Sequence, residues 1–246
     1  MIEIHRDLIE DIGGSERAYD RLYEERFSGC HTGQVASRYL WLVSLLMSHP
    51  GQRLLDISCG NGHLLSAAVQ KHLKSFGLDI SEVALSQANK LAPAAPTVCG
   101  DAELLPFPAA SFDYVTNIGS LEHYLHLERS AAEMARVLRP GGTALILVPN
   151  AYGLIGNIVH VWRHGDVFVD DQPLQRYATR GWWARLLQGN GLRVLKTLRY
   201  ERELPRTRAD LEWQLRHPTK LLRALVSPLI PVNLTDSFVF LCQPEP

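Results

Sequence analysis

The stretch "LLDISCGNGHLL" (Leu54–Leu65) breaks an apolar run into a cluster of small residues and then turns apolar again. Leu54 to Ile57 read as a buried strand. Gly60 and Gly62 let the chain turn sharply with no side chain standing in front of the backbone. A helix starting near His63 would aim its free N–H groups and its positive dipole end into that turn. The backbone itself then becomes a binding surface, suited to a carboxylate or a phosphate. An ordinary glycine turn between strand and helix reads the same over so short a motif, so the surrounding sequence has to decide.

Outward from the turn, "RLLDIS", "SFGLDI", "TVCG", "FDYVTNI" and "TALILVP" alternate with helical runs near 63–73, 81–91 and 124–138. Such alternation predicts a parallel sheet covered by helices on both faces, with a ligand outside the carboxyl ends of the strands. Before the turn lie an amphipathic segment, 16–27, and a second in which Val35, Tyr39, Leu42 and Leu46 recur at helical spacing. After Asn150 the pattern loosens into a helix near 179–188, a strand "LRVLKTLRY", a helical insert from Arg208 to about Val226 and a last strand "DSFVFLC". The expected fold is α/β, doubly wound, in one domain over 1–246. It comprises an N-terminal helical cap (1–50), a binding core (51–150) and substrate-side elements with the final strands (151–246).

Composition sets the outer limits. With 246 residues, 46% hydrophobic and 21% charged, the chain can bury a substantial single core, which excludes disorder as its main state. A net charge of -1 gives no global reason to expect nucleic acid. Cys30, Cys59, Cys99 and Cys242 lie far apart without a CxxC pair, so neither a disulfide framework nor a zinc cluster is expected and a reducing cytoplasm fits. The run "YLWLVSLLM" is too short to span a bilayer and follows acidic rather than basic sequence, so a soluble protein is expected.

Carboxylates recur at the next strand ends. Asp79 closes "SFGLD" 17 residues beyond Gly62, near the spacing at which an acidic group grips ribose hydroxyls in nucleotide-binding βαβ units. Asp101 follows "TVCG", where a carboxylate can accept from an exocyclic adenine amine while the following amide donates to the ring. A nicotinamide dehydrogenase would share these features. The third glycine of its fingerprint falls at Leu65, however, which disfavours the close helix–strand approach that cofactor fold requires.

"LLDISCGNGHLL", "GLDISEVAL", "GDAELLPFPAASFDYV" and "EMARVLRPGGTALILVPN" resemble the ordered motifs of class I S-adenosylmethionine-dependent methyltransferases, over roughly residues 35–150. "YATRGWWARLLQGNGLRVL" and "SFVFLCQ" resemble, more loosely, later elements of the small-molecule branch of that family. The resemblance implies a Rossmann-like, seven-stranded, mostly parallel sheet and S-adenosyl-L-methionine as cofactor. Its methionine part would lie near Gly60 and Gly62. Asp79, with its neighbour Ile80, would meet the ribose, and Asp101 with Ala102 the adenine. Asp56 matches the acidic position of the first motif, and Ile118 the place where a backbone carbonyl meets the cofactor's amino group.

The sulfonium of that cofactor makes its methyl electrophilic, so the protein has to align a nucleophile, exclude water and, where needed, supply a base. Glu122 and His123 in "SLEHYLHLE" are the candidates for that base, facing the expected pocket mouth, with His126 behind them. Both could instead cap the next helix. "LEH" also resembles quinone O-methyltransferases, but the further Glu of that pattern is Gly119 here, so no metal site is implied. Tyr19 and Tyr23 could close over a ligand, Trp182 and Trp183 could line a pocket, and Cys59 reads as a small packing residue. The expected activity is O-methylation of a small molecule. Transfer to C or N of a lipid or natural product, and a cofactor-binding protein that needs a partner, stay open as alternatives.

Charge is unevenly spread. Residues 174–225 hold 12 Lys and Arg against 4 Asp and Glu, a net of +8, whereas the rest holds 13 against 22, a net of -9. "LLRALVSPLIP" adds apolar residues beside Arg216, Lys220 and Arg223. The insert is therefore expected to be either a substrate-side lid meeting an anionic or amphiphilic acceptor at a membrane surface, or a solvated helix.

Overall fold

A computed structural model describes residues 1–6, 11–25, 36–201 and 204–245. Val35, Cys30 and the end of the first amphipathic segment lie outside the described residues. The quoted stretch forms strand β2 (Arg53–Ile57) and helix α3 (His63–Gln70). The alternation then continues through β3 (Lys74–Asp79), α4 (Glu82–Leu91), β4 (Thr97–Cys99), β5 (Phe112–Ile118), α5 (Leu127–Val137) and β6 (Leu138–Pro149). Helix α4 starts where Ser81 takes the Ala84 amide on its hydroxyl, a side-chain cap that satisfies one orphan donor.

Together with the late strands β8 (Leu192–Tyr200) and β9 (Ser237–Pro244), these make a seven-stranded sheet in the order β4-β3-β2-β5-β6-β9-β8. The pairs from β4 to β6 are parallel, whereas β9 runs antiparallel to both β6 and β8. Strand order reverses between β2 and β5. The crevice over their carboxyl ends is where doubly wound sheets bind ligands.

Both faces of the sheet are covered, so its strands are apolar on both sides rather than alternating. Leu54, Tyr114, Leu145 and Val239 pack with Leu42 and Val43 of α2 (Ala36–Leu45) and with Leu64 of α3. Leu55, Ile57, Val115, Phe238 and Phe240 pack with Met134 of α5 and Trp183 of α7 (Arg180–Gly189). Each such fully buried aliphatic side chain contributes about 1.5–3 kcal/mol of transfer free energy.

Three elements depart from the sequence expectation. The N-terminal region is not helical throughout: β1 (Ile2–His5) precedes α1 (Ile12–Glu25) and pairs antiparallel with β7 (Leu174–Tyr177) as a separate two-stranded ribbon. Four-residue strands carry too few positions for a periodicity to show. After β6 comes a π-helical turn, Leu154–Ile158, running into α6 (Val159–His164). The insert is two helices, α8 (Arg208–Arg216) and α9 (Pro218–Val226), because Pro218 cannot continue α8.

Candidate active site

The turn after β2 is strained in the way its glycines permit. Ser58, Gly60 and Gly62 have φ of 56°, 51° and 80°. A Cβ at Gly60 would stand 2.6 Å from the Tyr23 hydroxyl, so the bare backbone faces α1 across a cleft. Gly62 also serves packing. It does not line the cleft, and a Cβ there would meet Ala88 Cα at 2.9 Å, so this glycine lets α3 start against α4. At Gly77 on β3, a Cβ would lie 2.7 Å from Leu65 Cδ1. The close helix–strand contact is thus made by a strand glycine beneath a helical leucine, with the two partners of a dinucleotide fingerprint exchanged.

Asp79 joins the ends of β2 and β3. Its Oδ2 accepts the Gly60 amide at 2.7 Å and its Oδ1 the Ser81 amide at 3.0 Å. Burial outweighs these bonds and raises its pKa to about 6. An ionised carboxylate has about four lone-pair sites. With the Ile80 amide also directed at it, capacity remains for a further donor such as a ribose hydroxyl, which would favour the charged form.

A cavity open to solvent lies over this turn. Gly60, Asp79, Ile80, Asp101, Ala102 and Ile118 all line it, as do Asn61 and His63 at the start of α3. Asp101 turns Oδ1 back to the Glu103 amide at 2.8 Å, leaving its other oxygen for a ligand. Helix α1 covers the opening with Ile12, Ser15, Tyr19 and Tyr23, spaced along one helical face. Asp20 fastens that helix: its Oδ1 accepts from the Ser81 hydroxyl at 2.5 Å, beside the Asp79 contact. Burial raises the pKa of both Tyr19 and Tyr23, keeping the phenols neutral.

Asp56 is elsewhere. It is buried between the strands, accepts from Thr116 Oγ1 at 2.7 Å and is not among the residues lining the cavity. Burial pushes its pKa up to about 7.

His123 and Glu122, on the short 3-10 turn Leu121–His123, separate in the same way. His123 lines the cavity. Its Nδ1 lies 2.5 Å from Leu174 O, and a carbonyl only accepts, so Nδ1 carries the proton and the neutral ring keeps its lone pair on Nε2. Burial lowers the His123 pKa, which keeps the ring neutral near pH 7. Glu122 does not line the cavity. Its Oε1 lies 3.8 Å from His123 Nε2, its Oε2 is buried without a hydrogen-bond partner, and burial raises its pKa to about 8. With a protonated acid beside a neutral imidazole, this contact is not an ion pair near neutral pH.

The ribbon missing from the sequence reading holds this turn in place. Strand β7 supplies Leu174 O to His123, and its Arg176 donates to Tyr124 O while pairing with Glu3 of β1 at 2.6 Å. Tyr124 in turn meets Ser58 Oγ at 2.7 Å and receives Asn117 Nδ2 at 2.6 Å, tying the turn after β5 to the turn after β2. Gln172 lines the cavity from the loop before β7. No spacing in the sequence marks Tyr39, Tyr124 or Gln172 as cavity residues, because long-range folding brings them there.

Other candidates are set aside. Trp183 is fully buried with Nε1 donating to Pro149 O at 2.9 Å, and Trp182 packs on the same core, so neither lines the cavity. His126 precedes α5, outside the cavity. Cys59 lines it, but burial raises the thiol pKa and disfavours thiolate. Among the described residues, no cluster of three or more His, Cys, Asp or Glu is placed to hold a metal, and no helix is long and apolar enough to cross a membrane.

Residues 55–146 match the family model described as "Methyltransferase domain". The chain is 34% identical over 145 residues to a phthiotriol/phenolphthiotriol dimycocerosates methyltransferase of Mycobacterium tuberculosis, covering 57% of this chain and 51% of the relative. It is 35% identical over 147 residues to the 27-O-demethylrifamycin SV methyltransferase of Amycolatopsis mediterranei, covering 55% and 54%. The chain spans about half the length of these curated relatives. Among solved structures, an S-adenosylmethionine-dependent methyltransferase of Mesorhizobium loti superposes with a TM-score of 0.62 at 17% identity, covering 84% of this chain and 97% of that one. The 4+2 cyclase SpnF superposes with a TM-score of 0.68 at 19% identity, covering 97% and 98%.

Proposed function

We propose that this chain, whose core is a class I S-adenosylmethionine-dependent methyltransferase domain, transfers the cofactor's methyl group to a hydroxyl of a small amphiphilic molecule. The observation that carries the reading is the Asp79–Gly60 junction: a buried carboxylate with acceptor capacity to spare, beside bare backbone, inside the matched domain. The residues fit the cofactor. Gly60 leaves the turn open, Asp79 is placed for the ribose hydroxyls, Asp101 and Ala102 for the adenine, and Ile80 and Ile118 form apolar walls. When bound, S-adenosylmethionine supplies an electrophilic methyl on sulfur.

The chain's own groups then have three tasks. Tyr19 and Tyr23 of α1 exclude water from the opening. The Tyr124–Asn117–Ser58 contacts hold the two loops at a fixed distance. His123, with Nδ1–H committed to Leu174 O, keeps Nε2 as the proton acceptor for an acceptor hydroxyl. Support for oxygen as the methylated atom comes from this tautomer and from the name of the rifamycin relative. Support for a lipid-like acceptor comes from the mycocerosate relative.

A second reading rests on the cyclase neighbour, which shows that this fold also carries non-methylating chemistry. Incubating the chain and a metabolite extract with isotopically labelled methyl donor, followed by mass spectrometry, tests the proposal. A labelled O-methyl product supports it. Cofactor binding with no labelled product from any extract favours the second reading.

A further inference from the structure

The insert before the last strand is inside out. In α8 the residues turned into the protein are Asp210 and Gln214, and Asp210 takes the Ser37 amide, the Ser37 hydroxyl and the Thr207 hydroxyl. Its leucines point outward: Leu211 and Leu215 are 43% and 60% exposed. Helix α9 exposes leucines too, although Leu221 and Val226 are half-buried. Ala224 is buried and Arg223 is paired with Glu201 and Asp236, whereas Leu222, Leu225 and the following Leu229 are 61%, 58% and 82% exposed. Arg223 is therefore an internal anchor and not part of a basic surface, contrary to its grouping with Arg216 and Lys220 in the sequence. A hairpin folded to keep water off its own core would place these residues the other way round.

Around the leucines the exposed charges are mostly cationic. Arg208, Arg216 and Lys220 are exposed, and the acidic Glu212 is already matched by Arg208 at 3.1 Å. The location adds a further constraint. Asp236, which pairs with Arg223, also accepts the Gly156 amide, so α9 and the segment leading into α6 are tied to one residue. That segment exposes Val161 and Trp162, the latter 80%. Because Pro149 pairs with Ser237, Asp236 stands at the carboxyl end of β6, the same edge of the sheet as the cavity.

We propose that the α8–α9 hairpin, with Trp162 from the segment tied to Asp236 through Gly156, docks the protein on an anionic lipid bilayer. Leucines enter the headgroup–acyl boundary, Arg216 and Lys220 meet the lipid phosphates, and Trp162 sits at headgroup depth. Charge complementarity selects a bilayer over a second copy of the chain, because two such basic faces would repel. The docking itself does not depend on the methyl-transfer reading. The idea that it presents an amphiphilic acceptor to the cavity edge does.

Vesicle co-sedimentation of the full chain tests it, with phosphatidylcholine vesicles compared with equal parts of phosphatidylcholine and phosphatidylglycerol. Binding is expected to the mixed vesicles and to weaken as salt rises. Leu222→Gln with Leu225→Gln should reduce partitioning by about tenfold or more, and Arg216→Gln with Lys220→Gln by about 30-fold at low salt. In both double variants the melting temperature and S-adenosylmethionine affinity should stay at wild-type values, which separates docking from the cofactor site. Absence of binding to mixed vesicles overturns the proposal, as does binding indifferent to the leucine pair. It is equally overturned if the wild type self-associates without vesicles and the leucine variant is monomeric, which would assign the face to a second copy.

Discussion

The core from β2 to β6 and the α8–α9 insert meet at one edge of the sheet and place their apolar residues differently. In the core, Leu54, Leu55 and Ile57 are fully buried, and Asp79 and Asn117, where polar groups go inside, are given partners on neighbouring loops. In the insert, Asp210 and Arg223 hold the inside while Leu211, Leu215, Leu222 and Leu225 face outward. The core answers to its own sheet. Under the proposed docking, the insert answers to a surface outside the chain. Apolar patterning thus reports the fold in one region and the environment in the other.

The largest effect expected from testing this contrast lies in turnover. His123→Ala should lower turnover of the identified acceptor by about 10²–10⁴ with cofactor affinity retained, the range for a lost positioned base. Unchanged turnover would remove His123 from proton transfer. Next comes packing. Leu65→Ala, under the sheet and against Gly77, should cost about 2–5 kcal/mol in urea unfolding.

A pH experiment probes the buried carboxyls. Asp56 has its pKa raised from 3.8 to about 7, so its protonated form is favoured in the folded state. The stability it contributes is complete below 3.8 and is lost as pH rises through about 7. Asp79 and Glu122, raised to about 6 and about 8, act with the same sign. His123, lowered by burial, acts with the opposite sign: its contribution is complete above 6.5 and is lost as pH falls through its folded pKa. Asp56→Asn keeps an oxygen for the Thr116 hydroxyl without the ionisation. It should lie close to wild type near pH 4 and exceed it by about 4 kcal/mol near pH 8. Parallel pH profiles would show that Asp56 is not held neutral. The smallest effect belongs to the outer face: Leu222→Gln should change stability by less than about 0.5 kcal/mol. A cost like that of Leu65→Ala would erase the contrast between the two regions.

What the sequence made legible follows the same division. The five parallel strands, their helices and the turn at Gly60 could be read because period, turn chemistry and burial agree there. The cavity positions of Asp79, Ile80, Asp101, Ala102 and Ile118 followed, since each stands at or just past a strand end. Gly62 and Asp56 sit in the same motif and also serve its packing, a role set by the direction of a Cβ vector rather than by spacing. The β1–β7 ribbon was illegible because its strands are four residues long and 169 residues apart at their nearest ends. With it went the reason that His123 has one tautomer. The two Trp neighbours were ambiguous in sequence, and the core claims both.

The cavity lined by Gly60 and Asp79 is the proposed cofactor site. Isothermal titration calorimetry of S-adenosylmethionine into the wild-type chain and into Asp79→Ala tests it directly, with circular dichroism to show that both are folded. The prediction is saturable binding at one site, weakened by about 2 kcal/mol or more in the variant, about 30-fold in affinity. Equal affinity in the folded variant, or binding of NAD with none of S-adenosylmethionine, would contradict it.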